Sequence, residues 1–176
     1  LGDVYKRQRQ DEQVILRAGI SFVDMEGARK NFEAEIAGKA FDQVAREARE
    51  LWNRELARIR IDGGSDRQKT IFYTALYHTM VAPSEFCDVN RDYRGSDGEI
   101  HRAADFVNYT TFSLWDTYRA AMPLMTVLHP EKMADIVQTM LTISDEQGRL
   151  PVWHLWGNET DCMVCLLYTS DAADEL

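Results

Sequence analysis

The pattern of apolar and polar positions predicts a chain built mainly from helices. Apolar residues recur every three or four positions through most of the chain, which places them on one face of a helix. Helical spacing extends, in order, over residues 25–35, 40–58, 65–80, 113–124 and 130–147. Loops join these segments, and helix following helix is the arrangement of antiparallel helical hairpins packed into a bundle, a solenoid or an α/α toroid.

Residues at the ends of these segments support the predicted helices. Asp24 can cap the first helix. Ser65 and Gln68 have the spacing of a capping box, in which each side chain bonds the other residue's backbone N–H. Pro130 suits the first position of the last helix, and Gly148 suits its end. The buried stripe predicted for that last helix consists of Met133, Ile136, Val137, Met140 and Leu141.

The segment before the first helix has a different pattern. Residues 14–23 are rich in β-branched and apolar side chains, which predicts a strand. No partner strand is evident nearby, so we expect this strand to be the last one of a domain that lies upstream.

The loop at residues 88–99 is open to two interpretations. Its acidic and amide residues fall at the first, third, fifth and twelfth places of a calcium-binding EF-hand loop: Asp88, Asn90, Asp92 and Glu99. The sixth place, which needs glycine for a sharp turn, holds Tyr93. We therefore favour a connection that turns at Gly95 and Gly98.

The strongest candidate for chemistry is the stretch from Leu150 to Asp161. It predicts an extended approach carrying Trp153 and Trp156, followed by Asn158 and Glu159, where a helix could begin. Indole faces beside carboxylates and an amide suit a sugar ring, whose C–H face stacks on aromatic rings while its hydroxyls bond polar groups. The alternative is that Asn158 and the carboxylates only cap a helix.

A second candidate group lies at the start of the helix predicted from Ser113. Trp115, Asp116 and Arg119 occupy its first turns and are expected to point into a pocket. The alternative is that Asp116 forms a capping box with Ser113. Pro123 is expected to kink or interrupt this helix.

Composition narrows the class of protein. The 176-residue chain has a net charge of −9 and no cluster of basic residues, which argues against a nucleic-acid partner. No apolar run reaches the roughly 20 residues needed to span a membrane. Cys87 and Cys162 have neither the number nor the spacing of a disulfide framework or a zinc site.

Both ends of the chain have an unusual origin in our interpretation. Residues 1–8 and 165–176, back-translated with plausible codons, give a sequencing-library adapter and its reverse complement. We therefore expect these two segments to be adapter artefact and exclude them from the predicted fold. The natural segment would then be cut at both ends.

Several stretches together resemble one known family, glycoside hydrolase family 92. They include Gly19–Ser21, Asn31–Glu35, Ile71–His78, Tyr93–Gly95, Phe112–Thr117, Leu150–Trp153 and Gly157–Met163. These stretches occur in the family's order across nearly the whole natural segment, so the resemblance is specific.

The resemblance implies a calcium-dependent, inverting exo-α-mannosidase that trims mannose from N-glycans or mannans. It also implies a mainly α fold: a partial (α/α)6 toroid of helical hairpins, preceded by a remnant strand of an upstream β-sandwich domain. On that map residues 9–23 end the β-sandwich, residues 24–60 are linker helices, and residues 61–164 begin the (α/α)6 catalytic domain. Export from the cell is a further expectation from the family.

The resemblance places the catalytic acid, the catalytic base and most calcium ligands downstream, so no catalytic residue is expected here. The expected substrate-binding residues are Trp115, Asp116, Arg119, Trp153, Asn158, Glu159 and Asp161. Two alternatives remain, a non-catalytic helical carbohydrate-binding module and another α/α-toroid glycosidase. Because a closed toroid needs more hairpins than this segment supplies, we also expect apolar faces to be exposed.

Overall fold

The computed structural model describes residues 14–162, and within them it contains six helices and six short strands. The helices are α1 (Met25–Glu35), α2 (Phe41–Leu56), α3 (Asp66–His78), α4 (Leu114–Thr117), α5 (Ala121–Leu128) and α6 (Pro130–Gln147). The strands are β1 (Ser84–Glu85), β2 (Asp92–Arg94), β3 (Ile100–Arg102), β4 (Tyr109–Thr110), β5 (His154–Leu155) and β6 (Asn158–Glu159). A helix-rich chain was expected and is confirmed, whereas the toroid stays a prediction.

The helix ends form where local chemistry predicts them. The Asp24 carboxylate accepts a hydrogen bond from the Gly27 N–H at 2.7 Å and starts α1. Ser65 and Gln68 make the reciprocal bonds of a capping box at α3. Gly148 ends α6 with φ of +81°, a left-handed conformation that glycine adopts without steric cost.

Residues 14–23, predicted as a strand, adopt no strand within the described chain, and their place at the end of an upstream domain stays a prediction. These residues form no regular element and pair with no strand within the described part of the chain. A strand needs a hydrogen-bonded neighbour, and this segment is held through side chains instead. The Ser21 hydroxyl donates to the Asp88 carboxylate at 2.7 Å, and the Arg94 guanidinium donates to the Phe22 carbonyl at 2.9 Å.

The core lies between α6 and the segments that flank the candidate site. Its buried residues are Tyr109, Phe112, Leu114, Ile136, Ile143 and Val152, with Val107, Met122, Met133, Met140 and Trp153 packed against them. The predicted stripe of α6 is therefore only partly right, because Val137 and Leu141 are each about half exposed. The face of α6 that is buried carries Ile136, Thr139 and Ile143, so it is rotated slightly from the predicted stripe.

The strands form three antiparallel pairs that hydrophobic periodicity did not reveal. β1 pairs with β4, β2 with β3, and β5 with β6. The β2–β3 hairpin turns through Gly95 and Gly98, as predicted, and the Gly95 N–H donates to the Glu99 carbonyl at 2.9 Å. Asp92 lies within β2, where its carboxylate is bonded by Arg102, which lowers the pKa of Asp92. This loop is a hairpin rather than an EF-hand.

The apolar face of α2 has little to pack against. No residue of α2 is buried, and Phe41 and Leu51 are 68% and 51% exposed. We expect the isolated chain to self-associate through such faces, since exposed apolar patches drive association. Replacing Phe41 and Leu51 with glutamate should shift the chain toward monomer in size-exclusion chromatography with light scattering, whereas glutamate at the exposed polar Asn53 should not. A soluble monomer with cooperative, reversible unfolding would contradict this expectation.

Candidate functional site

The stretch predicted to carry the chemistry folds as a tight β-hairpin. Trp156 and Gly157 form its two-residue turn, with φ of +52° and +74°, the signature of a type I′ turn. Asn158 lies in β6 and pairs with Leu155 of β5. The alternative in which Asn158 caps a helix is therefore wrong for the described residues, because its backbone is already committed to a strand.

Glu159 organises this hairpin through its side chain. Its carboxylate accepts hydrogen bonds from the N–H groups of Val152 at 2.8 Å, Trp153 at 2.9 Å and Asp161 at 3.1 Å. Oε1 takes two of these bonds and Oε2 takes one. Because a carboxylate offers about four acceptor positions, one position on Oε2 remains for a further donor such as a hydroxyl.

The other predicted residues of this stretch differ in their surroundings. Trp153 is half-buried against the core, and its indole Nε1 is buried without a hydrogen-bond partner. Asn158 is exposed. Asp161 is exposed and forms an ion pair with Arg149 at 2.5 Å. Among these residues, Trp153 is held by packing against the core and Glu159 by hydrogen bonds from the backbone, whereas Asn158 and Asp161 are exposed.

The second candidate group lies on α4 and in the turn that follows. Trp115 and Asp116 are exposed on this four-residue helix. The Ser113 hydroxyl donates to the Asp116 carboxylate, but the Ser113 side chain accepts nothing from the helix backbone, so the capping-box alternative is wrong. The Asp116 carboxylate is left facing solvent.

Arg119 lies in the turn after α4 rather than on the same helix. Its guanidinium carbon lies 5.6 Å from the centre of the Trp115 ring and 5.3 Å from that of Tyr118, which is cation–π geometry. The predicted interruption occurs at residues 118–120, before Pro123, which becomes the third residue of α5. Proline is tolerated there because the first turn of a helix leaves its N–H groups unpaired.

Two hydrogen bonds bring the hairpin beside the segment that leads into α4. The Phe112 N–H donates to the His154 carbonyl at 3.0 Å, and the Trp156 N–H donates to the Thr110 hydroxyl at 2.7 Å. The two predicted groups thus flank one edge of the core. Four cavities within residues 14–162 are lined by other residues, so the pocket expected at Trp115, Asp116 and Arg119 stays a prediction.

His154 is a structural residue that spacing alone did not identify. Its side chain is buried, and Nε2 lies 2.9 Å from the Ser96 hydroxyl oxygen. Burial lowers the pKa of His154, and burial together with the Arg58 charge lowers that of His129. The sequence signal that could have revealed the hairpin was Gly157 directly after the apolar and aromatic stretch 152–156, since a glycine there suits a tight turn.

We expect the stability of the folded chain to fall as the pH drops below about 6.5, the ordinary histidine pKa. In the folded state the pKa values of His129 and His154 are lowered, so between the folded and unfolded pKa values only the unfolded chain binds protons at these histidines. Falling pH therefore favours unfolding. Urea denaturation at pH 8, 7, 6 and 5.5 measures this slope, and His154→Gln should make it shallower. A stability that is constant across this range would contradict the expectation.

Within residues 14–162, no group of three or more His, Cys, Asp or Glu side chains is arranged to hold a metal ion.

Comparison with known proteins identifies the family. The glycosyl hydrolase family 92 catalytic domain matches residues 27–174. This span includes residues that we interpret as adapter, and that interpretation stays a prediction. An uncharacterized secreted glycosidase of Arthroderma benhamiae is 33% identical over 82 residues, which is 44% of this chain and 11% of that protein.

Solved structures agree with this match. The family GH92 α-mannosidase BT3965 of Bacteroides thetaiotaomicron, solved with mannoimidazole, is 40% identical with a TM-score of 0.77, over 81% of this chain and 19% of that one. The inverting mannosidase BT2199 of the same organism is 35% identical with a TM-score of 0.77, over 82% and 20%. The chain thus spans about a fifth of the length of these structures. Agreement in both sequence and fold over most of its residues shows that the chain belongs to glycosyl hydrolase family 92.

Proposed function

We propose that the chain is part of an α-mannosidase that removes terminal α-linked mannose from glycans by single-displacement hydrolysis. The observation that carries the proposal is the pair of hydrogen bonds joining the hairpin that holds Glu159 to residues 110–112, which lead directly into α4 with its exposed Trp115 and Asp116. Similarity to structures named as α-mannosidases supplies the substrate class.

In this proposal the aromatic residues Trp115 and Trp153 form apolar walls, because indole faces pack against the C–H face of a sugar. Asp116 offers a solvent-facing carboxylate, and Glu159 offers its remaining acceptor position on Oε2. The polar contacts to sugar hydroxyls would come from Asp116, Arg119, Asn158, Glu159 and Asp161. Arg119 would also fix the Trp115 ring from one side.

The geometry of Glu159 supports a binding role rather than a catalytic one. An inverting hydrolase needs an acid that delivers a proton and a base about 6.5–9.5 Å away that activates water. The Glu159 carboxylate accepts three backbone N–H groups, so it serves the loop as an acceptor. The family resemblance implies that the acid and the base lie downstream, and we propose that they are outside residues 14–162.

Calcium and export belong to the same proposal. Residues 14–162 contain no cluster of three or more His, Cys, Asp or Glu side chains that could hold a metal ion, so we assign the calcium that the family resemblance implies to ligands mostly outside this range. One relative is described as a secreted glycosidase, which supports export. No helix among residues 14–162 is long and apolar enough to cross a bilayer.

The intact gene product tests this function. We expect it to hydrolyse an aryl α-mannoside and to release β-mannose first, as followed by NMR, with little activity on the matching α-glucoside. Preferred hydrolysis of the glucoside would point to another toroid glycosidase. Sugar binding without turnover would point to a carbohydrate-binding module, and either result would overturn the proposal.

A further inference from the structure

The tip of the β5–β6 hairpin packs against the segment that precedes α1. The Trp156 ring stacks on Phe22, with centroids 4.9 Å apart and planes 17° apart. Both rings also contact Phe86, at 5.8 Å from Trp156 and 4.9 Å from Phe22. Phe86 is buried, whereas Phe22 and Trp156 remain partly exposed.

The Phe22 segment is itself fixed to the hairpin formed by β2 and β3. Arg94 donates to the carbonyls of Phe22 at 2.9 Å, Val23 at 3.4 Å and Gly98 at 2.9 Å. The Trp156–Gly157 turn approaches the same place, since a Cβ on Gly157 would lie 3.0 Å from the Arg94 carbonyl oxygen. Three segments that are far apart in sequence therefore meet at the tip of the hairpin.

This contact matters because the hairpin is too short to hold its own position. It has two residue pairs, and an isolated two-stranded hairpin is at best marginally stable in water. Hydrogen bonds to Phe112 and Thr110 hold one side. The aromatic stack holds the tip. Because Glu159 belongs to β6 and its carboxylate accepts from Val152 and Trp153, which lead into β5, a shift of the hairpin displaces this carboxylate as well.

We propose that Phe22 and Trp156 are positioning residues for sugar binding, through which the segment before α1 holds Glu159 and Trp153 in place. This inference rests on the proposed function. Neither aromatic residue needs to touch the sugar. Loosening the stack weakens binding of the ground state and the transition state alike, which raises KM and leaves kcat nearly unchanged.

The test uses the intact enzyme with an aryl α-mannoside as substrate. Trp156→Ala and Phe22→Ala should each raise KM by about 2- to 10-fold, the effect of losing one aromatic pair, and the double variant should be no worse than the more damaging single one. Trp156→Phe, which keeps an aromatic ring, should restore most of the affinity. kcat should change by less than about twofold.

A matched control separates positioning from general loss of stability. Trp52 of α2 contacts Tyr77 at 4.7 Å, an aromatic pair of similar spacing on a different surface. Trp52→Ala should lower the melting temperature to a similar extent while leaving KM unchanged.

The outcomes distinguish the two proposals. If Glu159 variants lose activity but Trp156→Ala and Phe22→Ala keep the native KM, the positioning role is overturned while the mannosidase proposal stands. Additive effects of the two alanine substitutions, or an equal rise in KM with Trp52→Ala, would also overturn it. If the enzyme does not act on α-mannosides at all, the proposed function is overturned, and the positioning role that rests on it is overturned as well.

Discussion

Replacing Asp116 with alanine in the intact enzyme is expected to lower kcat/KM for α-mannosides by about 10- to 150-fold for each sugar hydroxyl that loses its bond, the effect of removing a charge-assisted hydrogen bond. The reason is that Asp116 is exposed and is bonded by the Ser113 hydroxyl, with no part in capping α4. Beyond its bond with Ser113, the Asp116 carboxylate makes no hydrogen bond or ion pair among the described residues, so its oxygens face solvent and can accept a hydrogen bond from a sugar hydroxyl. Steady-state kinetics of the purified variant measure the loss.

Three controls keep this prediction specific. Asp116→Ala should unfold within a degree or two of the native enzyme, since exposed substitutions away from structural contacts change stability little. Ser113→Ala removes the hydroxyl that holds the carboxylate and should cost less activity than Asp116→Ala. Alanine at the exposed Asp145 of α6 should change neither quantity. Near-native kinetics for Asp116→Ala would remove Asp116 from the sugar site.

The second large effect is expected for Glu159, where loss of the carboxylate should damage structure and activity together. Glu159→Ala leaves three backbone N–H groups without their acceptor, which we expect to destabilise the folded chain by about 2 kcal/mol. Glu159→Gln should be nearly as harmful, because its amide nitrogen is a donor that would face a backbone donor.

Hydrogen exchange read residue by residue distinguishes this effect from a simple loss of sugar contact. The N–H groups of Val152 and Trp153 should exchange faster in both Glu159 variants and at the native rate in Asp116→Ala. Unchanged protection in Glu159→Ala would show that the hairpin does not depend on this carboxylate. Native activity in both Glu159 variants, by contrast, would remove Glu159 from the sugar site.

Sequence reasoning succeeded where the cause of a structure is local. α1 has the predicted bounds because Asp24 caps it, and α3 begins at a capping box formed by residues three apart. The turns at Gly95 and Gly98 were predictable for the same reason. In each case the residues that decide the conformation are close neighbours in the chain.

Sequence reasoning failed where the cause is distant. Strands of two or three residues are too short to show a period, and β1 exists only because β4, some 25 positions later, pairs with it. Residues 14–23 have the composition of a strand but lack a partner in the described chain. Asn158 has the chemistry of a helix cap, yet the preceding glycine turn commits it to β6.

The candidate site shows the same division. The aromatic and acidic residues could be selected from their chemistry, and their association with one edge of the core follows from bonds such as that from Phe112 to His154. The hydrogen bond from the Val152 N–H to Glu159 and the ion pair between Arg149 and Asp161 could not be predicted, because both form only when the chain folds back on itself.

The two-residue turn at Trp156 and Gly157 constrains how this surface can diverge during evolution. Side chains alternate across a strand, so an inserted residue that shifted β6 by one position against β5 would send the Glu159 carboxylate to the opposite face and release Val152 and Trp153. Insertions and deletions are common in surface loops, but at this turn they are acceptable only where the register of β5 and β6 is kept. New glycan preferences in this wall would have to arise by substitution at fixed positions, chiefly at exposed residues such as Asn158.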